Sequence, residues 1–132
     1  MSPLIIKSPA DFRAATPSID APVHAMDIMP TLLDFASLDH PAKRLAAELL
    51  AMQDSSLRLL LPGEGGVAFN ERGLGGELFG IRAYRRGDWK ILKLPPPYGR
   101  GKSQLYDLSK DLGETSDVSA ESPNLRADLV NR

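Results

Sequence analysis

Few residues in this sequence have types and spacing that could do chemistry, and each such group also has a structural use. Gly101, Lys102 and Ser103 spell the end of a phosphate-binding loop, in which backbone amides wrap an anion ahead of a helix. That loop needs a glycine five residues before Gly101, but Pro96 stands there and has no amide to donate. The strand-like "QLYDL" follows where a helix is required, so "GKS" reads as a connector. Arg86, Gly87 and Asp88 form an "RGD" string between two alternating runs, which is what a hairpin turn requires without any receptor. His24 and Asp27 stand three apart with His40 farther on. Two histidines without a carboxylate cluster make a thin metal site, and Asp27 is better placed to cap a helix. Asp107, Asp111 and Glu114 form an acidic turn without the spacing of a calcium-binding EF-hand loop, so they read as solvated turn residues. Nothing resembles a nucleophile elbow, and no Ser, His and Asp set stands out.

The totals narrow the field further. With no cysteine there is no disulfide framework, no thiolate metal site and no thiol nucleophile. An apolar content of 42% with 25% charged residues fits one ordinary globular domain of mixed structure. Sixteen basic and seventeen acidic side chains leave a net charge of −1, so no global field recruits nucleic acid or an anionic membrane. No apolar run approaches the roughly 20 residues that span a bilayer, and "MSPLIIKSP" has neither a basic start nor a long enough apolar run for secretion.

The elements that must position these residues follow from periodicity. "PLIIK", residues 3–7, suits a short strand buried on both faces, whose neighbours this N-terminus does not supply. Pro9, Pro17 and Pro22 make the next stretch an extended loop. A helix is predicted over 28–36, with Asp27 as cap, Pro30 in the first turn, and a stripe of Ile28, Leu32, Phe35 and Ala36. "PAKRLAAELLAMQD" predicts a second helix with Leu45, Leu49 and Met52 on one side. "SSLRLLLPGE" is a short apolar segment, and "GEGGVAFNERGLGGE" reads as an exposed loop. From Leu78 the period becomes two: Phe79, Ile81 and Ala83 face one way and Arg82 and Tyr84 the other. Gly87 and Asp88 turn the chain, and "WKILKL" completes an antiparallel hairpin. "QLYDL" is a third strand, and "SPNLRADLV" begins a last helix, with Ser122 as cap and Leu125 and Leu129 on one face.

The order of these segments carries more than any one of them. "PTLLDFA", "RRGDWK" and "QLYDLSKDLGE", in that order and behind "PLIIKSP", resemble the C-terminal third of the sulfatases, most closely bacterial arylsulfatases of the alkaline phosphatase superfamily. Three positions depart from the family pattern, all in turns or helix ends. Ser37 stands where glycine usually ends the helix, Leu112 where proline usually precedes "GE", and Gln53 with Asp54 where "DG" is usual.

The resemblance implies a mixed α/β (α+β) fragment, the C-terminal part of the sulfatase fold. Residues 1–62 would supply a buried strand and helices from the end of the main α/β domain. Residues 63–132 would form a small C-terminal subdomain of antiparallel sheet and terminal helix. Loops 63–76 and 95–103 would shape part of the substrate entrance. Sulfatases use a cysteine or serine in a C/S-x-P-x-R signature, oxidised to formylglycine, with a divalent cation, here expected to be calcium, steadying the sulfate oxygens. This chain has no cysteine and no P-x-R. No catalytic, cofactor-binding or metal-binding residue of the family therefore carries over onto a matching position. Calcium and formylglycine are expected only in an intact family enzyme, and no sulfate ester hydrolysis is expected from this chain alone. The implied partners are an N-terminal sulfatase domain and a small sulfate ester, with neither nucleic acid nor membrane. The alternatives are an assembly module complementing a separate catalytic chain, or a remnant of a related phosphonate or phosphate ester hydrolase. Related bacterial enzymes occur in cytoplasm or periplasm, so the resemblance leaves the compartment open.

Overall fold

Residues 3–7, 14–52, 54–61 and 66–132 are described by this computed structural model, and they fall into two units, Met1–Phe69 and Asn70–Arg132. In the first unit a 3-10 turn at Ala25–Asp27 leads directly into helix α1, Ile28–Phe35. Pro30 sits in the first turn of α1, where its missing N–H removes no helical bond. The Thr31 hydroxyl is the tie to the rest of the unit: it donates to the Asp27 carbonyl at 2.6 Å and accepts from the Leu57 N–H at 2.8 Å. That bond anchors a second 3-10 turn, Leu57–Leu60, whose Leu57 and Leu60 join Phe69 in a small core flanked by Ala21 and Val23.

Helix α1 ends in a Schellman motif. Ser37 N–H donates to Asp34 O, Leu38 N–H donates to Leu33 O at 2.9 Å, and Ser37 has φ +54°.

Four expectations for this unit are corrected. Residues 3–7 are not in a strand, and Ile5 is 91% exposed, because no strand among the described residues pairs with them. The predicted stripe of α1 is largely on the surface: Ile28 and Leu32 are exposed, while Pro30 and Thr31 are buried. Asp27 does not cap α1, because its carboxylate accepts from the His24 N–H at 2.7 Å and so closes the preceding turn. The predicted helix over 41–54 is instead a two-residue-stranded hairpin, β1 (Lys43–Arg44) with β2 (Ala47–Glu48). Its turn residues Leu45 and Ala46 both have positive φ, and Leu45 is 95% exposed. The apolar stripe there has nothing in the described residues to bury against, and short helices draw most of their stability from such packing.

The second unit begins within helix α2, Gly66–Glu71, and is built on a four-stranded antiparallel sheet in the order β3–β4–β5–β6. The strands are β3 (Gly73–Leu78), β4 (Ile81–Arg86), β5 (Trp89–Lys93) and β6 (Ser103–Asp107). The exposed loop expected over 63–76 is thus corrected to α2 and the start of β3, with residues 62–65 outside the described set. The glycines of β3 hide its period, and the strand exists because its backbone pairs with β4 from Gly73 opposite Arg86 to Leu78 opposite Ile81. Phe79, expected within a strand, is in the β3–β4 turn with Gly80, both at positive φ as a type I′ turn requires.

Alternation in β4 and β5 is as expected, and the structure adds which face is covered. Helix α3, Pro123–Val130, lays Leu129 and Leu125 over Ile91 and Leu105, with Tyr84, Trp89 and Val118 packed around them. Leu105 and Leu129 are 0% and 2% exposed, which makes this the better-sealed core. Ser122 makes no side-chain cap to α3, and its carbonyl accepts the Arg126 N–H at 3.0 Å. The outer margin of β6 is covered: Leu105 N–H donates to Asp117 Oδ1 at 3.0 Å, and Val118 N–H donates to Leu105 O at 2.9 Å.

Candidate functional site

Each group of chemistry-bearing residues is accounted for by local structure. In the "RGD" string, Gly87 has φ +58°, and its N–H donates to Asn70 O at 2.7 Å. Arg86 reaches Asp128 of α3 at 3.1 Å, and Arg85 Nε donates to Gly87 O at 2.9 Å. The string is the β4–β5 turn, tied to α2 on one side and, through Arg86, to α3. In the "GKS" string, Gly101 has φ +72°, and its N–H is committed to Leu94 O at 2.9 Å instead of facing an anion. Ser103, expected in the connector, is already the first residue of β6.

His24 and Asp27 meet, but as a capping box: His24 Nδ1 accepts from Met26 N–H at 3.3 Å, and the fully buried Asp27 carboxylate accepts from His24 N–H. His40 lies apart in an irregular segment. The acidic turn spends Asp107 and Asp111 on its own loop and Glu114 on β5. Asp107 accepts from Ser109 and Lys110, and these bonds hold its carboxyl below the usual range, the Lys110 bond foremost. Asp111 accepts from the N–H groups of Ser116 and Thr115. Glu114 pairs with Lys90, whose Nζ lies 2.6 and 2.7 Å from its two oxygens. Among the described residues no group of three or more His, Cys, Asp or Glu side chains converges as a metal site.

Among the described residues a cavity opens in each unit. In the first unit about 610 Å³ opens beside residues 3–6, floored by Val23, Leu57 and Leu60. In the second unit about 380 Å³ lies on the α3 side of the sheet, where Arg82 and Lys93 border Tyr84 and Ile91. Sequence reasoning missed the second cavity, although counting outward from the Gly87–Asp88 turn places Arg82 opposite Lys93. Among the described residues no helix is long and apolar enough to cross a membrane.

No protein-family model matches the chain. It is 30% identical over 129 residues to an uncharacterized sulfatase of Schizosaccharomyces pombe, covering 97% of this chain and 23% of that protein. It is 29% identical over 132 residues to a sulfatase of Formosa agariphila, covering 92% of this chain and 23% of that protein. Among solved structures, Ps i-CgsB in complex with k-i-k-neocarrahexaose matches with a TM-score of 0.60 at 21% identity, over 84% of this chain and 23% of that one. A protein in complex with its substrate D-glucosamine-2-N,6-O-disulfate matches with a TM-score of 0.56 at 20% identity, over 80% of this chain and 22% of that one. At such identities the solved structures speak to the fold, and the two curated relatives speak to the sequence. The chain spans 23% of the length of those relatives. In sequence and in fold it is sulfatase-like, and it corresponds to the C-terminal portion of such proteins.

Proposed function

We propose that this chain is the closing portion of a sulfuric ester hydrolase, supplying packing and part of the substrate entrance while the reacting groups lie on an N-terminal portion. The observation that carries the reading is the inverted burial of α1. Thr31 and Pro30 face the interior of this chain, whereas Ile28, Met29 and Leu32 are 43%, 57% and 58% exposed. A soluble helix normally buries such a stripe. Leu4, Ile5 and Ile6 are exposed as well, and apolar surface of this kind is suited to the remainder of a larger α/β domain. The first unit then belongs to that domain, and the second is the small C-terminal subdomain. The reaction attributed to the whole is hydrolysis of an organic sulfate ester, in keeping with the disulfated sugar bound by one structural neighbour. Calcium and formylglycine belong, on this reading, to the N-terminal portion.

The chemistry agrees. Without a formylglycine signature in this sequence the covalent step has no nucleophile here, an effect worth several kcal/mol of barrier. The test is an assay with a chromogenic aryl sulfate and calcium, run on the chain and on a chimera in which it replaces the C-terminal quarter of the Formosa agariphila sulfatase. The chain alone is expected to show no turnover and the chimera to be active. Turnover by the chain alone, or a chimera that folds but is inactive, overturns the reading.

A further inference from the structure

Strand β3 ends the sheet of the second unit, and its outer margin has no partner. Leu78 and Ile81 close the two-residue turn at Phe79 and Gly80, so they form a hydrogen-bonded pair, and alternation makes Gly76 with Ala83 and Leu74 with Arg85 the next ones. Gly73, Gly75 and Glu77 therefore turn their N–H and C=O groups away from β4. Among the described residues none of these three has a backbone bond on that outer side. Every residue of β3 except Leu74 is exposed.

Free strand margins are ordinarily protected by lysine, proline, a bulge or a covering segment. Strand β3 carries none of the first three: it reads "GLGGEL", its pairing with β4 is unbroken, and its one charge, Glu77, is taken up by Arg82 of its own sheet at 2.7 Å. The strand also suits its own copy. In an antiparallel pair related by a two-fold axis one residue lies opposite itself, and a charged residue there would face an identical charge. The two registers that pair most of β3 are centred on Gly75 and on Gly76, where no charge stands. With Gly75 at the centre, Glu77 faces Gly73 of the copy. With Gly76 there, Glu77 faces Gly75 and Leu74 faces Leu78. Neither register opposes like charges, and the glycines at the axis leave the two backbones free to approach, since a Cβ built on Gly76 would meet nothing within 4 Å.

We infer that β3 pairs antiparallel with β3 of a second copy of this chain, across a two-fold axis at Gly75 or Gly76, and joins the two sheets into one. The outward groups of Gly73, Gly75 and Glu77 then make about four to six N–H···O bonds with those of the copy, depending on the register. Such a junction is small, in the weak class below about 1,200 Å², so the dimer exchanges with monomer. The inference goes beyond the reading of the chain as part of a sulfatase, because it uses only Gly73–Leu78 and does not depend on where the reacting groups lie.

The test uses the full chain carrying Ile28→Lys and Leu32→Gln, which remove the exposed apolar stripe of α1 as a rival contact. Analytical ultracentrifugation is expected to show a monomer and dimer in equilibrium. Leu78 is 65% exposed, and Leu78→Lys sets a lysine opposite Leu74 of the copy in one register and beside its Arg72 in the other. Because the two-fold axis applies the change twice, dimerisation is expected to weaken at least about tenfold while the fold is kept. A second measurement reads the geometry. The chain has no cysteine, so a nitroxide on Lys93→Cys is unique, and the site is exposed and away from the junction. Five interstrand spacings separate it from its copy, and pulsed EPR is expected to give about 25–30 Å. Should Leu78→Lys unfold the chain, this distance decides. A chain that stays monomeric at every concentration, leaving the margin to some other occupant, would overturn the inference. So would undiminished dimerisation by a folded Leu78→Lys chain, or a label distance beyond about 40 Å in the dimer.

Discussion

Ser37 shows how much one side chain can reveal. It occupies the left-handed position that closes the Schellman motif of α1, at φ +54°, where a Cβ is strained and glycine is not. Ser37→Gly is therefore expected to stabilise the chain by about 0.5–1 kcal/mol, read as a raised urea midpoint with an unchanged slope. Asp111 makes a second residue-scale case. Its carboxyl is held below the usual range chiefly by the Ser116 N–H, against a smaller upward push from burial and with further help from Thr115. A depressed carboxyl contributes stability that is present above its unfolded pKa, about 4, and is lost as pH falls through the lower folded value. Acidification below about pH 4 should therefore loosen the 107–119 loop, and Asp111→Asn should flatten that acid limb in a melting-temperature profile while lowering stability at neutral pH.

At the scale of elements, the hairpin and third strand were legible because their alternation is clean and Gly87 with Asp88 marks the bend. Helix α1 was legible from its spacing, but which side it buries was not, because a stripe names a face and not the molecule that covers it. The 41–54 segment misled for a related reason. Helix propensity is a weak prior that context overrides, and Leu45, Leu49 and Met52 find no buried surface here. Strand β3 was illegible because Gly73, Gly75 and Gly76 carry no side chain from which a period could be read. Its order comes from its partner: a Cβ on Gly73 would lie 2.0 Å from the Tyr84 hydroxyl, so the tyrosine ring occupies the space that the glycine leaves. The chemistry-bearing strings were legible as structure because each had a competing turn or cap role, whereas placing Arg82 opposite Lys93 needed the register. Glycines differ in what they bear. A Cβ on Gly99 would sit 2.6 Å from Leu94 Cβ and 2.8 Å from its carbonyl oxygen, whereas one on Gly76 meets nothing. Gly99→Ala should cost about 1–3 kcal/mol by thermal melting, and Gly76→Ala should be neutral or stabilise by about 0.5 kcal/mol.

At the scale of the whole molecule, much large apolar surface faces solvent, and it is concentrated in Met1–Phe69, from Ile5 at 91% exposed to Leu45 at 95% and Leu50 at 92%. Exposed apolar surface on this scale drives association. Light scattering of the purified chain should show concentration-dependent self-association, and the double substitution Ile28→Lys with Leu32→Gln should reduce it. Because both side chains already lie in solvent, the melting temperature should move by no more than about 0.5 kcal/mol of stability allows. A loss of several degrees would mean that this face is packed within the chain, contrary to the reading of it as a junction. The second unit differs in how it could take part in larger assemblies. At the β6 flank the Leu105 amide and carbonyl are already taken by Asp117 and Val118, so lateral growth by an incoming polypeptide is blocked there. Any fifth ribbon must add alongside the glycines of β3, which gives this small sheet a single direction of extension.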